Sequence, residues 1–320
     1  MATSTDTAPT TGPGSAKAVS GRRRLRAFST SDKVTLALMV GIPALFEAVL
    51  VWLPALLSVG LSFTNARLDV SQPGGVNFVG LKNYRFITSV YPPFVPALEH
   101  NLVWLLFLTF IATPMGLLVA VLLDFNLRGS WLYQSVFFIP VMLSLALVGI
   151  IWQLMYSSDS GLINSVLGTA GKPGAIDWFG NSNINLWAAL IATSWKHVGY
   201  IMILYLAGLK GVDPTLKEAA VIDGATAAQT FFRVVFPAMR PINIIVVVIT
   251  VIEALRAFDI VYIINRGTNG LELVSALVVQ NLVGEGTNIG VGAALATVLL
   301  VVSLVPIITY LARTFRKETQ

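Results

Sequence analysis

The chain contains no cysteine. Disulfides, thiolate metal sites and cysteine nucleophiles are thereby excluded, while the redox compartment stays open. Histidine is almost absent too: His100 and His197 are the two in 320 residues, which argues against a multi-histidine metal centre. Charge is scarce. Asp, Glu, Lys and Arg make up 12% of the chain, against roughly 25% in a soluble domain. No Gly-x-x-x-x-Gly-Lys-Ser/Thr stretch occurs, so the chain lacks that phosphate-cradling loop. Neither does a Ser-His-Asp or metal-ligand constellation mark it as an enzyme, and no catalytic residue is assigned.

What the chain does have is apolar length. Hydrophobic residues account for 55% of it, and the mean hydropathy is +0.77. A bilayer crossing needs roughly 20 apolar residues. Six runs reach that length, at 34–63, 98–124, 131–156, 186–209, 241–263 and 288–312. The expectation is an all-α, polytopic membrane helix bundle with about six transmembrane helices, its partner the lipid bilayer. Residues 1–33 read as a disordered basic tail, 34–312 as the membrane domain and 313–320 as a second tail. The first run is too long for a signal-peptide core. Its Pro43 and Pro54, and Pro114 in the second run, are expected to kink their helices.

Lys and Arg set the orientation. With the N-terminus inside, 14 fall on the inner side, 5 on the outer side, and Lys196 and Arg256 lie within spans. Both tails and the loop 210–240 are thereby expected in the cytoplasm. Net charge is +5. Because the basic residues sit in short groups between apolar runs, no nucleic-acid partner is expected. Residues 64–97 and 157–185 form longer outer loops, the first punctuated by Pro73-Gly74-Gly75 and Pro92-Pro93. No matching pair of interrupted helices is evident, which counts against a secondary transporter built from inverted repeats.

The loop 210–240 carries its own punctuation. Asp213 can N-cap a short helix with Pro214 at its first position. Gly224 can end that helix in the left-handed region. Thr226 and Gln229 form a capping box for a second helix, which Pro237 is expected to end, with Pro241 leading into the next span. Ala219 and Ala220 give the first helix a small face edged by Glu218, suited to docking in a partner's groove.

Charged groups also occur within spans, where they are costly and turn toward the bundle interior or a water-filled cavity. Lys196 and Tyr200 share one helix face; Glu253, Arg256 and Asp259 follow each other at three-residue spacing and can pair. Two readings remain open from the residues alone. These groups, with Trp195 as a stacking surface, line a path for a polar solute, or they form a structural ion-pair set.

Glu218-Ala219-Ala220, Asp223-Gly224-Ala225, Phe231 and Phe236-Pro237 together resemble the Glu-Ala-Ala loop of ABC importer permeases. Further stretches resemble carbohydrate-importer permeases: Phe78-Val79-Gly80-Leu81-Lys82-Asn83-Tyr84, Trp195-Lys196 through Ala207-Gly208-Leu209, and Phe258-Asp259-Ile260-Val261-Tyr262. Gly80 to Tyr84 is similar to the first permease of a heterodimer, of the maltose, trehalose or glycerol-phosphate type. Asn265-Arg266-Gly267-Thr268-Asn269-Gly270 departs from the family's Thr-Gly-Gly-Gly-Pro-like turn. The resemblance implies a type I ABC importer permease fold. It implies that Glu218, Ala219, Ala220, Asp223, Gly224 and Pro237 couple to a cytoplasmic ATPase dimer, where ATP and magnesium would bind. It also implies a second permease subunit and an external binding protein delivering a carbohydrate. The alternative is an ion-coupled secondary transporter using Glu253, Arg256 and Asp259.

Overall fold

The computed structural model describes residues 29–67, 75–125, 129–283 and 287–316. Most of the basic N-terminal tail, the Pro73-Gly74 turn and residues 317–320 lie outside them. The described residues are helical, with no strand among them beyond an isolated bridge between Thr64 and Phe78. Two compact units are distinguished, one ending at Leu57 and one beginning at Ser58.

The first unit holds most of helix α1, Ser31–Leu61. A capping box starts it: the Ser29 hydroxyl accepts from the Asp32 N–H, and the Asp32 carboxylate accepts from the Ser29 N–H. The helix therefore begins a few residues before the expected start at residue 34.

The second unit contains the remaining helices. These are α2 (Lys82–Ser89), α3 (Phe94–Asp124), α4 (Ser130–Met142), α5 (Leu145–Met155), the short α6 (Leu162–Val166) and α7 (Asn185–Lys210). They are followed by α8 (Pro214–Ile222), α9 (Ala227–Thr230), α10 (Arg240–Leu255), α11 (Asp259–Asn265), α12 (Val274–Leu282) and α13 (Ile289–Arg316). The last of these continues into the expected C-terminal tail. The six apolar runs appear as four continuous helices, a bent pair and an interrupted helix. Helices α1, α3, α7 and α13 contain stretches long and apolar enough to cross a bilayer. The run 131–156 is the pair α4 and α5, bent by 105°. The run 241–263 is α10, 16 residues long, separated from α11 by Arg256–Phe258.

The helix continues through the prolines of α1 and α3. Proline lacks the N–H of a helix ladder, and its ring crowds the carbonyl four residues back. A five-residue π-turn lies just ahead of two of them: Ala48–Trp52 before Pro54 and Leu108–Ala112 before Pro114. Leu53 N–H donates to the Ala48 carbonyl and Thr113 N–H to the Leu108 carbonyl. The wider turn makes room for the ring, and the helix continues. The same device operates at Phe231–Val235 before Pro237. Pro237 thus does not end the second loop helix. It sits within the helical turn Phe236–Ala238, and the break comes at Met239.

Helix α7 is the central post, packed against α3 and α4. Close approach needs small residues at helix crossings in a membrane. A Cβ at Gly116 of α3 would lie 2.7 Å from the Ile201 Cβ and 2.9 Å from the Val198 carbonyl oxygen. A Cβ at Gly199 of α7 would collide with the Phe137 carbonyl oxygen of α4. Beside these crossings Ala120 and Ile201 are completely buried, and a second core cluster buries Trp104, Leu108, Leu190 and Ile260.

Candidate functional site

The two helix breaks lie close together beside α7, since α5 and α11 pack together and both touch α7. Broken helices free backbone carbonyls, which at membrane depth must find partners. At the first break Leu143 and Ser144 are extended, and the Ser144 hydroxyl accepts from the Leu147 N–H to cap α5. The ammonium of Lys196 donates to the Leu143 carbonyl at 2.5 Å. At the second break the Ser275 hydroxyl donates to the Ala257 carbonyl at 2.8 Å. Gln153 of α5 donates to the Ile263 and Ile264 carbonyls near the end of α11. Two interrupted helices are therefore present where the sequence showed no evident pair. Pro140, four residues before Ser144, and the Arg256–Asp259 charges were their local signs.

Between the breaks lies a pocket of about 390 Å³. Five of the six residues singled out for the solute path line it: Lys196, Tyr200, Glu253, Arg256 and Asp259. Trp195 does not; its ring meets Trp152 edge-on at 6.1 Å on a neighbouring face of α7. Ser144, Thr193 and His197 complete the polar lining. His197 Nε2 is hydrogen-bonded to Thr113 Oγ1 at 3.2 Å and Thr250 Oγ1 at 3.4 Å, tying α3, α7 and α10 together beside the pocket.

The expected pairing of Glu253 with Arg256, and of Arg256 with Asp259, is not formed. None of these three side chains has an ion-pair or hydrogen-bond partner among the described residues. The reason is the break: α10 stops at Leu255, so the three-residue spacing no longer runs along one helix. The three groups face the pocket with their hydrogen-bonding capacity unused. Only Lys196 is committed, to the Leu143 carbonyl.

The loop 210–240 follows its local punctuation closely. The Asp213 carboxylate accepts from the Thr215 N–H at 2.9 Å. That hydrogen bond holds its carboxyl below the usual value of 3.8. Gly224 has φ +79°. Its N–H donates to the Val221 carbonyl, and the Ala225 N–H donates to the Ala220 carbonyl. This is a Schellman ending, which brings the residues Ala220 and Ala225 together. The Thr226–Gln229 capping box is complete. Glu218, Ala219, Asp223, Gly224 and Pro237 are exposed, whereas Ala220 is buried. The small side chain of Ala220 thus serves packing within the loop, while Ala219 stays on the free face. Val221 and Ile222 add exposed apolar surface, Ile222 at 85%. Lys217 Nζ lies 3.4 Å from Asp124 Oδ2, joining α8 to the end of α3. The loop links the end of α7 to the start of α10, the two helices that carry Lys196 and Glu253 of the pocket.

Residues 112–318 match the model of the family described as binding-protein-dependent transport system inner membrane component. The chain is 32% identical to the xylose/arabinose import permease protein XacH of Haloferax volcanii, over 92% of each. It is 31% identical to the osmoprotective compounds uptake permease protein GgtC of a Synechocystis species, over 86% of this chain and 96% of that protein. A solved bacterial ABC transporter that imports the acidic polysaccharide alginate contains a chain of the same fold. The TM-score is 0.75 at 20% identity, covering 92% of this chain and 99% of the other.

Proposed function

The chain belongs to the binding-protein-dependent transport system inner membrane components, and on that premise we propose that it is a multi-pass permease subunit of an ATP-driven importer carrying a carbohydrate. The observation that carries the solute reading is the pocket between the two helix breaks, where Glu253, Arg256 and Asp259 have no side-chain partner among the described residues. A polyhydroxyl solute offers donors and acceptors to both carboxylates and to the guanidinium. The phenol of Tyr200 supplies a flat apolar surface and a hydroxyl beside them. The sugar transported by the xylose/arabinose relative supports the same solute class.

The coupling proposal places the exposed face of α8, with Glu218, Ala219, Asp223 and Gly224, against a cytoplasmic ATPase dimer. Pro237, which is also exposed, is proposed to take part in the coupling, and the buried Ala220 supports α8 from beneath. ATP and magnesium would bind on that partner, and ATP supplies the driving free energy there. A second permease subunit completes the pathway, and an external binding protein delivers the solute. At about 1.5 Å per residue, the pocket lies roughly 15–20 Å from the loop along α7 and α10. Movement of α8 therefore reaches the pocket through those two helices, and reaches α3 through Lys217 and Asp124. Differential binding of ATP to two arrangements of the bundle would shift its access from one side to the other.

The test is uptake of labelled pentoses and disaccharides by cells expressing the whole transporter. Uptake is expected to fail on ATP depletion and to persist with an uncoupler that collapses the ion gradient. Collapse with the uncoupler at constant ATP would instead favour the ion-coupled alternative.

A further inference from the structure

Helix α2 is held against the segment that follows α1 by side-chain contacts. Asn83 is buried, and its amide donates to the Ser62 and Thr64 carbonyls, both at 2.8 Å. The Tyr84 hydroxyl is 2.7 Å from the Ser62 hydroxyl, and the Tyr84 ring packs on Phe63 at 5.5 Å. Ser62 immediately follows Leu61, the last residue of the apolar helix α1. The chain on the other side of this junction is fixed as well, since the Gly290 N–H of α13 donates to the Ala66 carbonyl. Helix α2 therefore packs on residues 62–64, which directly follow the last residue of α1.

Its two faces differ. Asn83 and Ile87 are buried one turn apart, while Lys82, Arg85 and Phe86 are exposed. Lys82 and Arg85 are three apart and share a face. Neither has an ion-pair partner among the described residues. A basin of about 580 Å³ is lined by Lys82, Tyr84, Arg85, Thr88, Val79 and Leu81, with no carboxylate among the described residues of its wall. Next to it Phe78 is 79% exposed and Leu81 68% exposed. Two cations with no ion-pair partner among the described residues, beside exposed apolar side chains at the end of a membrane span, complement one kind of molecule. Arg matches phosphate through its planar fork, Lys adds a point charge, and the apolar side chains meet acyl chain.

We propose that this basin is a site for the headgroup of an anionic phospholipid in the leaflet at the C-terminal end of α1. Lys82 and Arg85 hold the phosphate, while Phe78 and Leu81 enter the acyl region. The assignment needs neither the solute nor the ATPase partner. It depends only on α1 crossing the bilayer.

The chain's lack of cysteine gives a clean probe. The full chain carrying Ser89→Cys, with a fluorophore on that thiol, is placed in nanodiscs with small amounts of spin-labelled phosphatidylglycerol or spin-labelled phosphatidylcholine. The phosphatidylglycerol is expected to quench at about tenfold lower mole fraction. Lys82→Gln/Arg85→Gln is expected to remove the difference while leaving overall quenching by phosphatidylcholine unchanged. Equal quenching by the two lipids in the unsubstituted background would overturn the proposal. A double variant that keeps the lipid preference but loses capture of the external binding protein would also overturn it, in favour of a protein-docking surface. Because the measurement reads no transport, its failure leaves the importer reading untouched.

Discussion

At the scale of single residues, the pocket separates charges that work on the fold from charges left free. Lys196 belongs to the fold, since its ammonium satisfies the carbonyl freed at Leu143. A buried acceptor that loses its partner costs about 1–3 kcal/mol. Lys196→Met is accordingly expected to lower the thermal unfolding midpoint of the detergent-solubilised protein; an unchanged midpoint would show that the carbonyl finds another donor. Arg256 differs, because no side chain among the described residues accepts from it. Arg256→Gln is expected to leave the amount of membrane-inserted protein unchanged. It should reduce solute uptake by about 10-fold or more, the equivalent of one charged hydrogen bond. Normal uptake by that variant would remove Arg256 from the solute path.

At the scale of elements, the loop 210–240 and the π-turns follow one physical rule. A helix tolerates a missing or strained group where local geometry absorbs it. Gly224 shows this directly, because a Cβ there would meet nothing within 4 Å. A larger residue would incur mainly the left-handed backbone strain, about 1–2 kcal/mol. The side chain would project from the exposed face proposed to meet the ATPase. Gly224→Trp is therefore expected to assemble normally but to uncouple ATP hydrolysis from uptake; full uptake by an assembled complex would sink the docking role of α8. The capped ends of α8 and α9 were legible in the sequence because each cap involves residues within about five positions. The continuation through Pro237 was not, because a π-turn has no residue signature of its own in Phe231–Val235. Nor was the burial of Ala220, which depends on how the loop folds back on itself.

At the scale of the whole molecule, the distribution of Lys and Arg predicts a cytoplasmic loop 210–240 and an external α2. A cysteine-free chain permits a direct check. A membrane-impermeant thiol reagent applied to intact cells is expected to label Ser89→Cys and to spare Asp223→Cys until the membrane is opened. The reverse pattern would invert the topology. It would also move the α8 surface away from any cytoplasmic ATPase.

The sequence by itself determined the membrane class, the apolar runs, the caps of the 210–240 loop and the family resemblance. Those depend on composition, on hydropathy over about 20 residues, or on contacts between near neighbours. Tertiary structure alone decided which apolar runs stay continuous and where two of them break. A break at membrane depth survives only where a distant group satisfies the freed backbone. The donors are Lys196 for Leu143 and Ser275 for Ala257, 53 and 18 positions away along the chain. Those breaks, in turn, bring Glu253, Arg256 and Asp259 around one pocket without letting them pair.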